Sequence, residues 1–256
     1  MQEIAVNGPR PLAVLFDLDD TILDDSSSTV SAWHVACAGA AAELPGLTAA
    51  ALYQAIDRVR TWYWSDPERH RQGRQDLRAA TRAIVRQAMA GLGVDAPALA
   101  DAVADRYRDL REEAQRLFPR AVETLEALRA EGIRLALLTN GAAAAQRTKI
   151  ERFDLARHFD YICIEGEFGC GKPDLQVYRA ALAALGCPAE RTWMVGDNLE
   201  WDVLAPQRLG VAGIWLDRAG AGLPAGLAVR PSRIIRDLPE LLPASFSPHP
   251  PPSPGR

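Results

Sequence analysis

The hydrophobic period of this chain changes twice, and that limits its possible folds more than any other feature. An apolar run, PLAVLF (11–16), stops at Asp17 and reads as a short buried strand. From about residue 29 to 117 the apolar residues recur in steps of three and four. Val30, Trp33, Cys37, Ala40 and Leu44 share one face, and Leu52, Ile56, Val59 and Tyr63 a second. Leu77, Ile84, Val85 and Ala88 share a third, and Leu99, Val103, Leu110, Ala114 and Leu117 a fourth. Such stripes predict four amphipathic helices packed against one another. After Pro119 the two periods alternate. Helices over 119–131, 142–153, 174–186 and near 202–209 are each followed by a short apolar strand, at 133–139, 161–165, 192–196 and 212–216. Pro206 obliges the last helix either to begin close to it or to kink there.

Short apolar strands alternating with helices specify an α/β chain with a Rossmann-like parallel sheet covered by helices on both faces. Residues 1–23 and 119–242 form this core, and residues 24–118 an all-helical, four-helix insert between the first two strands. The Pro- and Ser-rich tail over 243–256 is expected to be disordered, and the first ten residues loose.

Composition narrows the partners. A net charge of −4 argues against a dedicated nucleic-acid binder. No apolar run approaches the roughly 18 to 20 residues that span a bilayer. The first residues, MQEIAVNGPR, lack the positive start and apolar stretch of a signal peptide. Cys37, Cys163, Cys170 and Cys187 lie far apart with no CxxC pair, as expected for reduced thiols in a cytoplasmic protein.

In open α/β sheets ligands bind outside the carboxyl ends of the strands. The first strand ends in Asp17-Leu18-Asp19-Asp20-Thr21 and the second in Thr139-Asn140-Gly141. The third is followed by a loop with Gly169, Gly171, Lys172 and Pro173, and the fourth by Gly196, Asp197, Asn198 and, further on, Asp202. Carboxylates gathered at one edge repel one another unless a cation sits among them. A hard divalent ion such as Mg²⁺ takes oxygen ligands from one or two carboxylates and a substrate phosphate. Lys172 adds a positive charge, Thr139 a hydroxyl, Asn140 an amide and Gly141 a close backbone approach, together a cradle for a phosphoryl group. Aspartate is a nucleophile for phosphoryl transfer, and a second carboxyl two residues on can protonate a leaving alcohol and then activate water. Of the 29 basic residues only Lys149 and Lys172 are lysine, so a lysine in this position carries weight.

FDLDDT, LLTNG, GKPD and VGDNLEWD resemble, in order, the four motifs of the haloacid dehalogenase superfamily. The insert resembles that family's type-1 helical cap. Within the superfamily the chain looks most like small-molecule phosphatases of the N-acylneuraminate-9-phosphatase kind. The resemblance implies Asp17 as nucleophile and metal ligand, and Asp19 as general acid/base with its backbone carbonyl on the metal. It implies Thr139 and Lys172 as phosphate-stabilising residues beside Asn140 and Gly141. Asp197 matches a direct metal ligand, and Asp202 an acidic residue that supports the metal. Thr21 is expected to shape the turn after the nucleophile.

The implied activity is Mg²⁺-dependent hydrolysis of a small phosphorylated metabolite through an aspartyl-phosphate, by a monomer or homodimer. Dehalogenases of the superfamily lack the second Asp of the first motif, which is present here as Asp19. Its phosphonatases use a cap lysine, and this cap has none. A sugar phosphomutase, or a non-catalytic protein that binds a phosphate ligand on the same fold, stays as an alternative. In the insert, Arg74, Arg78, Arg82 and Arg86 step by four along one helix face beside Arg69 and Arg71. They form either a solvated face or a wall that attracts an anionic substrate. Trp62, Tyr63 and Trp64 are expected in the core of the insert, and His34 and His70 as structural or exposed residues.

Overall fold

The computed structural model describes residues 10–226 and 230–242. The chain runs β1 (Ala13–Phe16), β2 (Leu23–Asp24), α1 (Thr29–Glu43), α2 (Ala49–Ser65), α3 (Pro67–Gly73), α4 (Leu77–Gly91), α5 (Pro97–Ala114) and β3 (Arg116–Leu117). It continues α6 (Ala121–Ala130), β4 (Arg134–Thr139), α7 (Ala143–Arg152), β5 (Tyr161–Ile164), α8 (Glu165–Phe168), α9 (Leu175–Leu185) and β6 (Thr192–Gly196). Then come α10 (Ala205–Gln207), β7 (Ala212–Leu216) and β8 (Arg233–Ile235).

Six parallel strands form one sheet in the order β5-β4-β1-β6-β7-β8. All four residues of β1 are buried, as a strand covered on both faces requires. Val14 and Phe16 face a core with Leu125, Leu135 and Leu137, while Ala13 and Leu15 face one with Leu138, Tyr178 and Met194. After β1 the chain builds outward through β4 and β5, then returns to place β6 on the other side of β1. The order therefore reverses between β1 and β6, the kind of crevice where α/β sheets bind ligands. Phe16 is level with Leu137 on one side and Val195 on the other, so Asp17, Thr139 and Asp197 leave the sheet at one edge.

The insert has its own apolar core of Trp33, Leu52, Ile56, Ile84, Val85, Val103 and Tyr107. Its two stems pair as an antiparallel ribbon, Leu23 opposite Leu117 and Asp24 opposite Arg116. Leu117, read from its spacing as the end of a helical stripe, thus belongs to β3, and Val30 is 53% exposed rather than buried. A short fifth helix, α3, joins the four expected. Pro67 keeps the preceding Asp66 out of the helical region, ending α2, and the Asp66 carboxylate then accepts from the Arg69 amide to cap α3.

Three other differences come from local chemistry. The helix expected near 202–209 begins earlier, as a π-helical turn over Leu199–Leu204, because the Asn198 side chain accepts from the amides of Glu200 and Trp201. Pro206 falls in α10, which continues directly from that π-helical turn. β8 is only three residues long, too short for a periodicity to show. Arg10, within the segment expected to be loose, is held by the Glu131 carbonyl at 3.0 Å. The rest of that segment and the tail beyond Leu242 lie outside the described residues.

Candidate active site

Asp17 follows β1 directly, and its amide is fixed at 3.0 Å from the Val195 carbonyl of β6. Its Oδ2 accepts from the Thr21 hydroxyl at 3.0 Å, and its Oδ1 from Lys172 Nζ at 2.7 Å. Thr21 thus shapes the turn as expected. Lys172 Nζ also donates to Asp202 Oδ1 at 2.7 Å. Lys172 is 1% exposed and Asp202 wholly buried, so one buried cation is shared between two carboxylates and leaves a net negative charge. The other Asp202 oxygen accepts from the Asn198 amide at 3.0 Å. Gly196 makes room for this carboxylate, since a Cβ there would stand 2.2 Å from Asp202 Oδ2.

Asp17, Asp197 and Asp202 each offer an oxygen within 4.8 Å of the others. All are hard carboxylate donors, the set that suits a hard divalent cation. The electrostatics point the same way. Burial, with the neighbouring Asp202 and Asp19 adding to it and Lys172 opposing it, pushes the Asp17 carboxyl up to about 6. Asp197, although exposed in the cleft, is pushed up to about 8 by partial desolvation and then by the charges of Asp17 and Asp202. Burial pulls Lys172 down, but the two carboxylates overcome this and hold it above its ordinary range. Asp17 and Asp197 resist ionisation for want of positive charge nearby, and a divalent ion would supply it.

Asp19 turns the other way. Its Oδ1 accepts from Lys149 Nζ at 2.7 Å and its Oδ2 from Gln146 Nε2 at 3.0 Å, both from α7. Gln146 Nε2 also donates to the Thr139 hydroxyl, which leaves the Thr139 proton free to donate. Asn140 spends its carboxamide on the opposite loop, donating to the Lys172 carbonyl at 2.7 Å and accepting from the Lys172 amide at 2.8 Å. Gly141 gives its amide to Glu165 Oε2 at 2.9 Å. The polar groups of Asn140 and Gly141 are therefore turned to the loops that position Lys172. Asp17, Asp19, Thr139, Asn140, Asp197 and Asp202 all line one cleft of about 180 Å³.

Four further residues support the site. Lys149 stands out in the sequence only by the rarity of lysine. Gln146 carried no signal. Glu165, expected at the end of the third core strand, is the first residue of α8 and forms a bidentate pair with Arg74 of the insert, both contacts at 2.6 Å. His70, expected to be structural or exposed, packs edge-on to Trp201 and Trp64 and lies 3.3 Å from Arg74. The arginine stripe therefore divides. Arg78, Arg82 and Arg86 pair with Asp109, Asp105 and Asp101 of α5, whereas Arg74 crosses to Glu165. Of the aromatic cluster, Tyr63 and Trp64 pack against the insert's core, and Trp62 is 49% exposed. The four cysteines are free thiols, and no helix among the described residues is long and apolar enough to cross a membrane.

A parallel α/β sheet with an aspartate-lysine centre at its switch point and a helical insert beside it defines a class of hydrolytic enzymes. The chain belongs to the haloacid dehalogenase-like hydrolase family, whose model matches residues 11–210. It is 39% identical over 155 residues to the phosphoserine phosphatase of Thermus thermophilus, covering 60% of this chain and 57% of that one. It thus spans little more than half of that relative's length. It is 29% identical over 244 residues to the phosphoglycolate phosphatase of Agrobacterium fabrum, covering 93% of this chain and 94% of that one. Among solved structures, the HAD-hydrolase YfnB from Bacillus subtilis superposes with a TM-score of 0.68 at 23% identity, over 91% of this chain and 97% of that one. Both of these relatives are named as phosphatases.

Proposed function

We propose that this enzyme is a Mg²⁺-dependent phosphomonoesterase that acts on a small phosphorylated metabolite through an aspartyl-phosphate. The observation that carries the reading is the division of labour between two aspartates two residues apart. Asp17 is bound to Lys172 beside Asp197 and Asp202, while Asp19 is held separately by Lys149 and Gln146.

An Asp17 oxygen attacks phosphorus in line as the ester P–O bond opens. Asp19 gives its proton to the departing alkoxide and later takes one from water as that water attacks the aspartyl-phosphate. Inorganic phosphate leaves and the Asp17 carboxylate is restored. Lys172 and the Thr139 hydroxyl face the charge that develops on the equatorial oxygens. Asp17, Asp197 and Asp202, with the Asp19 carbonyl, would hold Mg²⁺. When bound, that ion neutralises phosphoryl charge. Residues 24–118 act as a cap over the core of 1–23 and 119–242, excluding bulk water and selecting the substrate.

The test is phosphate release from p-nitrophenyl phosphate and a panel of sugar and nucleotide monophosphates, with Mg²⁺ or with EDTA. The expected result is release that needs Mg²⁺ and falls by at least about 10³ in Asp17→Asn, with the fold unchanged. Full activity in Asp17→Asn would falsify the mechanism.

A further inference from the structure

We infer that the cavity inside the helical insert receives a second anionic group of the substrate, read by Arg108. The inference rests on the phosphatase reading and adds a substrate class to it: phosphomonoesters with a carboxylate or a further phosphate distant from the ester.

Three hollows share walls. The 180 Å³ cleft shares Asp19, Asn140 and Trp201 with a second of about 420 Å³ between the insert and the core. That one shares Asp25, His70, Arg74, Leu77 and Arg108 with a third, of about 480 Å³, among α1, α2, α4 and α5. The phosphoryl group occupies the smallest space, and the rest of the substrate has room to extend into the insert. Cavities of this size hold whole metabolites rather than stray waters.

The wall chemistry identifies what sits at the far end. Arg60, Arg74, Arg108 and Arg111 line the third cavity against one acid, Asp25. Asp25 is already engaged by Arg111 and Gln115. Arg74 is committed to Glu165, and Arg60 to Asp57 at 2.6 Å. Arg108 differs. It is 9% exposed, yet its only ion-pair partner among the described residues is Glu112, at 3.5 Å. Glu112 is itself half exposed and lies 3.7 Å from Arg78 as well. A buried guanidinium with so weak a partner is costly unless a ligand supplies the missing acceptors.

Two buried donors on the same wall, Trp33 Nε1 and Arg111 Nε, have no acceptor among the described residues. The Trp33 ring stacks on Tyr107 at 3.6 Å between centroids. Buried polar groups are normally paired, so the unpartnered N–H groups of Trp33 and Arg111 beside the weakly paired Arg108 call for an acceptor-rich anion in this cavity.

The test compares matched esters. 6-Phosphogluconate against glucitol 6-phosphate isolates a distal carboxylate, and fructose 1,6-bisphosphate against fructose 6-phosphate a distal phosphate. Wild-type kcat/KM should favour the anionic member of one pair by at least about tenfold. The favoured pair tells which anion is read. The ratio should collapse toward one in Arg108→Met and fall severalfold in Trp33→Phe. The latter keeps the stack on Tyr107, loses only the N–H, and decides the matter where Arg108→Met fails to fold. Hydrolysis of all four esters without preference, or a preference that both variants retain, overturns the inference and spares the phosphatase reading. No release from any ester, p-nitrophenyl phosphate included, overturns both.

Discussion

Lys172 Nζ, itself buried, reaches Asp17 Oδ1 at 2.7 Å, and the same nitrogen is shared with Asp202. Removing the cation would strand two buried carboxylates. Lys172→Met should therefore lower stability by about 3–5 kcal/mol, the usual cost of breaking a buried pair from one side. Chemical denaturation would measure the loss. Added Mg²⁺ should recover part of it by replacing the missing charge, and a variant as stable as wild type would contradict the pairing.

The raised carboxyls set a pH dependence whose sign follows from linkage. Asp17 titrates at about 6 and Asp197 at about 8, both above the ordinary value of 3.8. Between those limits the folded protein without metal binds more protons than the unfolded chain, so its stability falls as pH rises from near 3.8 toward 8. A divalent ion binds the ionised forms, so its affinity should climb over the same window. The rise in Tm caused by Mg²⁺ should be larger at pH 8 than at pH 5.5, as calorimetry can check.

Lys149 and Gln146 hold both oxygens of Asp19, so α7 aims the residue proposed as acid and base. Lys149→Met should lower kcat by about 10- to 100-fold for alkyl phosphates, with little change in KM. Loss should be smaller for p-nitrophenyl phosphate, whose leaving group needs less protonation. Equal losses for both esters would place the defect elsewhere than in proton transfer.

Gly196 tolerates no side chain, because a Cβ would sit 2.3 Å from Asp202 Cγ. Gly196→Ala must push Asp202 away from Lys172 and from the acidic trio. Metal affinity is expected to fall by about 10- to 100-fold, the usual effect of misplacing a supporting group. Isothermal titration with Mg²⁺ would show it, and unchanged binding would remove Asp202 from the site.

Much of this was legible along the chain. The run PLAVLF ending at Asp17 and the alternation after Pro119 specify the parallel sheet, because strands covered on both faces must be apolar throughout and stop where polarity begins. Parallel register then brings successive strand ends to one edge, so Asp17, Thr139, Lys172 and Asp197 could be grouped from their order alone. Asp66-Pro67 could also have announced α3, since that dipeptide both ends a helix and starts one.

Tertiary structure alone decided the pairings between distant segments. Lys149 reaches Asp19 across 130 residues and Arg74 reaches Glu165 across 91, and no local period encodes either distance. The same holds for Asn140, whose side chain looked available for phosphate and is spent on the Lys172 backbone. Sequence pattern determines which face of an element is buried, because burial follows a period of two or of 3.6 residues. Which polar group meets which depends on how the buried faces pack, and that is settled only when the whole chain has folded.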